Sequence, residues 1–218
     1  MIPFATDEKI AAAIPEVVRH LARQGLIAYP TETVYGLGST ASHEAVARLS
    51  ALKGREVGKP FLLLVSDPAM LAGVGLRLTD AAARLASAFW PGPLTMVLPG
   101  GEGRLPDSLR GPEGGIAVRW TSHAGAARLV ATLGSPITST SANRPRTAPA
   151  MTGREVSSVF ADAERSGALL VLDAGALVPS PPSALVDCTG RVPVLRRPGA
   201  IPLERLRSIV PAVEESAA

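Results

Sequence analysis

The stretch IPEVVRHLARQGLIAYPTETVYGLG, residues 14–38, changes its hydrophobic period partway along. Ile14, Val17, Val18 and Leu21 recur at helical spacing, and Gly25 is a natural C-terminal stop, so the pattern predicts a helix over Ile14–Gln24. Leu26–Tyr29 is then a continuous apolar run, which reads as a buried strand. A helix feeding a buried strand is the opening of an α/β chain.

The same alternation continues downstream. Apolar spacing and turn residues predict helices over His43–Lys53, Asp80–Trp90, Ala124–Leu133, Arg154–Phe160 and Pro202–Val210. Strands are expected at Phe61–Val65, Leu94–Leu98, Ile116–Trp120, Ile137–Thr140, Leu169–Leu172, Ala184–Cys188 and Val192–Leu195. Residues 100–115 carry six glycines and two prolines and read as a loop. The implied fold class is α/β with helices packed on a sheet; periodicity leaves strand order and direction open. A length of 218 residues suits one domain, expected to have its core at about 14–201 and a short C-terminal helix and tail.

Composition narrows the function classes. With 46% hydrophobic and 19% charged residues and a mean hydropathy of +0.23, the chain has ample apolar surface for a core but no run long enough for a membrane span. The start MIPFATDEKI lacks an export pattern, so a cytoplasmic location is expected. Cys188 is the sole cysteine, which excludes an internal disulfide and any multi-cysteine metal site, and it reads as structural. The net charge of +3 is small, although nineteen arginines and three lysines supply the basic side. Charge alone therefore gives little support for direct nucleic-acid binding.

Three segments stand out chemically. In YPTETVYGLG, residues 29–38, an extended path would place Tyr29, Thr31, Thr33 and Tyr35 on one side, lining a polar pocket. The alternative is a loop whose threonines satisfy backbone groups. In KGREVGKP, residues 53–60, Lys53, Arg55 and Lys59 crowd together before a strand, and such cations repel one another unless an anion joins them. In SPITSTSAN, residues 135–143, a strand runs into Ser139, Thr140, Ser141 and Asn143, which can bond a ligand or cap the next turn. Arg119, in a strand, and Arg197, before Pro198-Gly199, complete the set.

Other signatures fail on context. Gly36 to Ala41 matches G-x-G-x-x-A, but Pro30 to Tyr35 intervene between strand and glycine. Gly54 to Lys59 is one residue short of a Walker A loop, and Pro60 replaces the Ser/Thr that would hold magnesium. No nucleophile elbow or zinc pattern occurs, and His20, His43 and His123 lack ligand spacing. A site rich in cations and hydroxyls but poor in bases suits chemistry of positioning and charge neutralisation on phosphates.

YPTETVYGLG, KGREVGKP, WPGPLTMVLP, IAVR, STSAN and LRRPGAI occur in the order seen in YrdC-like threonylcarbamoyl-adenylate synthases, which the chain resembles over roughly residues 14–201. The resemblance implies a twisted mixed sheet with a broad, concave, positively charged site, in the short form without an extra C-terminal domain. The implied activity is a nucleotidyl transfer, in which L-threonine, bicarbonate and ATP give threonylcarbamoyl-AMP and pyrophosphate for tRNA modification. Carried over by motif, Thr33, Arg119, Ser139 and Ser183 would face L-threonine, while Lys53, Arg55, Lys59, Ser141, Asn143 and Arg197 would face ATP. Lys53 and Arg55 are the expected catalytic cations. Magnesium is expected with the nucleotide, and a separate transferase would move the group to tRNA.

Three positions depart from the pattern. Arg144-Pro145 replaces Ser-Gly, Thr121 replaces a proline, and Pro182-Ser183-Ala184 replaces Glu-Ser-Thr, with Ala184 expected to remove a hydroxyl near the amino-acid pocket. The VPSPPS run, residues 178–183, is a flexible connection that closes over the site in this reading. Two rivals stay open: a carbamoyl-adenylate-forming relative, and an RNA-binding protein of tRNA or ribosome maturation.

Overall fold

The computed structural model describes residues 1–54 and 59–216. Its helices are α1 (Asp7–Ala22), α2 (His43–Lys53), α3 (Ala69–Gly73), α4 (Asp80–Phe89), α5 (Ala124–Leu133), α6 (Gly153–Val159), α7 (Ala161–Arg165) and α8 (Leu203–Ile209). The strands are β1 (Ile2–Pro3), β2 (Leu26–Pro30), β3 (Tyr35–Gly38), β4 (Leu62–Val65), β5 (Leu94–Leu98), β6 (Ile116–Trp120), β7 (Ile137–Ser141), β8 (Leu169–Asp173), β9 (Ala184–Asp187), β10 (Val194–Arg197) and β11 (Glu214–Glu215).

Among the described residues these strands form one mixed sheet in the order β1-β8-β2-β3-β7-β4-β6-β5-β9-β10-β11. The central pairs β2/β3, β3/β7, β4/β7 and β5/β6 are antiparallel, whereas β4/β6 and β5/β9 are parallel. Strand neighbours such as β7 and β4 are distant in sequence, so the sheet order could not be read from local pattern.

Two apolar layers flank the sheet. Helices α1 and α5 pack together on one face, where Ile14, Val17, Leu21, Leu129 and Val130 meet Ile27, Leu64 and Ile137. Val17 and Leu21 are wholly buried, each contributing roughly 1.5–3 kcal/mol of apolar transfer. The other face carries the larger core, in which Val46, Leu49, Leu85, Val156 and Leu206 cover Ala28, Leu37, Leu63, Met96, Val118 and Val186. The α1–α5 layer does not reach across the second half of its face, and that uncovered half holds the cleft described below.

Helix α1 starts seven residues before the expected Ile14, because its buried stripe extends back through Ala13 and Ile10. Thr6 caps it by accepting the Lys9 amide, with Asp7 and Glu8 in the first turn. Pro15 lies inside the helix on its exposed side, where water can satisfy the carbonyl left without a donor. Strand β3 lies in a stretch that the sequence left open between an extended path and a loop, since Tyr-Gly-Leu-Gly carries little strand propensity. Glycine is required there: a Cβ on Gly38 would lie 2.6 Å from the Thr138 carbonyl oxygen and 2.9 Å from the Tyr29 ring.

Candidate active site

The uncovered half-face forms a cleft of about 850 Å³. Its floor is built by strand alternation: Leu62 and Leu64 from β4, Thr95 and Val97 from β5, Ala117 and Arg119 from β6, Ser139 and Ser141 from β7, and Leu185 and Asp187 from β9. The intervening residues Leu63, Met96, Val118 and Val186 point into the large core. The β2–β3 turn, Ser180, Ser183 and the segment around Gly111–Gly115 form the rim.

Of the residues singled out from sequence, Thr31, Thr33, Lys59, Arg119, Ser139, Thr140, Ser141, Ser183 and Arg197 line this cleft. Lys53 and Asn143 stand behind it. The Lys53 side chain is buried, and its ammonium donates to the carbonyl oxygens of Ser141 at 2.6 Å and Asn143 at 2.7 Å, and to Asn143 Oδ1. Ser141 Oγ also donates to Asn143 Oδ1 at 2.7 Å. The αL cap at Gly54, with φ +62°, ends α2 at the point that delivers Lys53 to this loop. Arg55 lies outside the described residues.

Tyr29, Thr31, Thr33 and Tyr35 do not share one side, because the chain reverses between β2 and β3 and pairs Tyr29 with Gly36 and Pro30 with Tyr35. Tyr35 turns to the opposite face, where its hydroxyl donates to the Gly175 carbonyl at 2.8 Å. Thr31 serves the turn itself, accepting from the Thr33 and Val34 amides and donating to the Val34 carbonyl at 2.6 Å. Tyr29 is wholly buried, which pushes its phenol pKa well up, and it donates to Ser139 Oγ at 2.7 Å. That bond leaves the Ser139 proton to be donated elsewhere, so the hydroxyl is oriented before any ligand arrives.

Two guanidinium groups dominate the electrostatics, that of Arg119, which is buried, and that of Arg197, an exposed residue of β10. Arg119 donates from Nε to the Gly92 carbonyl at 3.0 Å. Its Nη2 lies 3.1 Å from Glu32 Oε2, an ion pair in which that nitrogen makes no aligned hydrogen bond among the described residues. Arg197 donates from Nη2 to the Ser183 carbonyl at 3.0 Å, and Ser183 Oγ lies 2.8 Å from Thr95 Oγ1. Desolvation lowers the pKa of both arginines, and the like charge of Arg119 lowers that of Arg197 further. Two partly desolvated cations that repel each other form a place where an anion is stabilised.

Sequence reasoning overlooked Glu32 and Thr95, because an acid within TET and a threonine within a strand carry no signal of their own. It also left Asp187 and Arg196 unassigned. Asp187 is buried and accepts from Thr189 Oγ1 at 2.6 Å and Arg196 Nη2 at 2.9 Å, which outweigh burial and lower its pKa. Arg196 also meets Glu113 at 3.1 Å, joining β9 and β10 to the rim.

The three departures acquire physical meaning. Thr121 Oγ1 donates to Glu32 Oε1 at 2.8 Å, a bond that proline lacks the hydroxyl to make. Arg144 donates to the Leu52 carbonyl at 2.7 Å and lies 4.9 Å over the Phe160 ring, tying the loop after β7 to α2 and α6. Ala184 corrects an expectation: it is buried in the large core, since β9 turns Leu185 and Asp187 to the cleft and Ala184 away. A hydroxyl there would face the core and not the amino-acid pocket.

Fold and cleft together define an α/β protein with an open, cation- and hydroxyl-lined sheet face. A family model, Sua5_yciO_yrdC, described as telomere recombination, matches residues 19–199. The chain belongs to the Sua5/YciO/YrdC family. It is 38% identical over 192 residues to the threonylcarbamoyl-AMP synthase of Thiobacillus denitrificans, covering 87% of this chain and 98% of that protein. It is 35% identical over 191 residues to the threonylcarbamoyl-AMP synthase of Pyrococcus abyssi, covering 86% of this chain but 54% of that protein, so it spans about half the length of that relative. The crystal structure of P. abyssi Sua5 complexed with L-threonine superposes with a TM-score of 0.86 at 30% identity, covering 99% of this chain and 62% of that one.

Proposed function

We propose that this chain is an L-threonylcarbamoyladenylate synthase, forming threonylcarbamoyl-AMP and pyrophosphate from L-threonine, bicarbonate and ATP. The observation that carries the reading is the Arg119–Arg197 pair on the open sheet face, with the Ser139 and Ser183 hydroxyls beside it. Thr33, Arg119, Ser139 and Ser183 hold L-threonine, with the guanidinium of Arg119 taking its carboxylate. The threonine amine attacks carbon dioxide derived from bicarbonate to give a carbamate. A carbamate oxygen then attacks the α-phosphorus of ATP, the bond to the β-phosphate oxygen breaks, and pyrophosphate leaves.

Lys59, Ser141 and Arg197 face the nucleotide and stabilise the leaving group, the role also expected from sequence of Arg55, which lies outside the described residues. Lys53 and Asn143 serve the same site indirectly, by fixing the loop that presents Ser141. Among the described residues no group of three or more His, Cys, Asp or Glu is placed to hold a metal, and Glu32 and Asp187 are tied to arginines. Magnesium therefore enters as part of the nucleotide substrate, held by its phosphates. The product is a mixed anhydride, consumed by a transferase that passes the threonylcarbamoyl group to tRNA. Among the described residues no helix is long and apolar enough to cross a membrane.

Pyrophosphate release from ATP and magnesium, with L-threonine and bicarbonate omitted in turn, tests the proposal. Release should require both and collapse in Arg119→Met. Release that needs neither, together with salt-dependent RNA affinity, would overturn it in favour of the RNA-binding reading.

A further inference from the structure

Glu32 sits at the tip of the β2–β3 turn, and five groups converge on its carboxylate. Oε2 faces Arg119 Nη2 at 3.1 Å. Oε1 accepts from Thr121 Oγ1 at 2.8 Å, the Ser122 amide at 2.6 Å, Ser122 Oγ at 3.0 Å and the His123 amide at 3.1 Å. These donors belong to the junction between β6 and α5, whose helix N-terminus favours a negative charge. The Glu32 carbonyl meanwhile accepts from Ser180 Oγ at 2.7 Å, which ties the 178–183 strap to the same turn. One residue thus links the turn bearing Thr33, the strand end bearing Arg119 and the strap leading to Ser183.

We infer that Glu32 is a positioning residue: its carboxylate clamps Arg119 against the cleft wall and fixes the orientation in which that guanidinium meets a substrate carboxylate. Among the described residues the Gly92 carbonyl and Glu32 anchor Arg119, so without the acid its outer nitrogens lose their lateral restraint. Glu32 is not placed to be a base. Burial opposes its ionisation, but Arg119 and the hydrogen bonds from Thr121 and Ser122 outweigh burial and hold its pKa below the usual value. A carboxylate held ionised in this way is a fixed charge, suited to orienting a neighbour.

The inference rests on the proposed synthase reading only for the identity of the molecule that Arg119 grips. Glu32→Gln keeps the length and an acceptor oxygen for the backbone amides but removes the charge. In the full chain it should raise the KM for L-threonine by about tenfold or more, the scale of one close ion-pair contact, and leave the KM for ATP within about twofold. A second readout is independent of activity. The Arg119 Nε–H, donated to Gly92, should exchange with solvent slowly in the parent by NMR and about tenfold faster in Glu32→Gln, since the clamp is one charge-assisted contact.

An unchanged or lowered KM for L-threonine in an active enzyme would overturn the inference, as would equal shifts in both KM values accompanied by a fallen unfolding midpoint. Should the parent release no threonine-dependent pyrophosphate while the Arg119 exchange still accelerates in the variant, the synthase reading fails and the positioning role stands. Unchanged Arg119 exchange overturns the positioning role whatever the activity.

Discussion

Replacing Lys53 with methionine separates a cation that touches the nucleotide from one that holds the loop beneath it. Lys53→Met preserves side-chain length and apolar volume and removes only the ammonium. Three part-buried acceptors then lose the ammonium: the Asn143 carbonyl, the Ser141 carbonyl, which keeps the Asn143 amide as a donor, and the Asn143 amide oxygen, which keeps Ser141 Oγ. A buried acceptor left unsatisfied costs about 1–3 kcal/mol. The Ser141 carbonyl and the Asn143 amide oxygen keep a partner, whereas the Asn143 backbone carbonyl cannot follow, so the expected loss is about 1–3 kcal/mol. Against a total stability of about 5–15 kcal/mol this is large. For a chain of this size it corresponds to a fall of roughly 2–12 °C in the unfolding midpoint.

Lys59 is exposed and lines the cleft, so Lys59→Met should cost less than about 1 kcal/mol and act mainly on the KM for ATP. Thermal unfolding followed by circular dichroism, with and without ATP and magnesium, distinguishes the two lysines. A Lys53→Met midpoint within about 1 °C of the parent would refute the strut assignment, because a lost ammonium under the Asn143 carbonyl cannot cost so little.

Acid should weaken the fold in two stages. His123 caps α5 by accepting the Ala126 amide on Nδ1, which requires the neutral ring, and burial lowers its pKa below the ordinary 6.5. Stability from the neutral ring is complete above pH 6.5 and drains as pH falls from there toward the lowered value; thermal midpoints across that range should fall in the parent and flatten in His123→Asn. Glu32 behaves as a carboxylate with a lowered pKa, so its contribution is complete above 4.5 and is lost as pH falls through the lowered value; Glu32→Gln should remove that second stage. Cys188 is 1% exposed and burial pushes its thiol pKa up to about 12, so the native protein should resist iodoacetamide at pH 8 and label only on unfolding; rapid labelling of the folded chain would contradict its place in the core.

The sequence by itself determined the α/β alternation, the ends of most elements and the residue types of the cleft. These depend on short-range physics: period, capping and the turn chemistry of glycine and proline. Helix α2, with Ser42 before it and Gly54 after it, needed no more than that. The tertiary structure decided which hydroxyls face the same way. Tyr29 and Tyr35 part company across a hairpin that the sequence left open between an extended path and a loop, and Ala184 turns inward one residue from Ser183.

It also decided what each charge does. Strand pairing across about a hundred residues brings Lys53 under Ser141 and sets Glu32 against Arg119. No local pattern carries that information, because two-residue alternation says that a strand has two faces and not which half of a face the helices leave uncovered. Here α1 and α5 cover one half and leave the other open, and a row of small hydroxyls and two arginines becomes a site only on the open half.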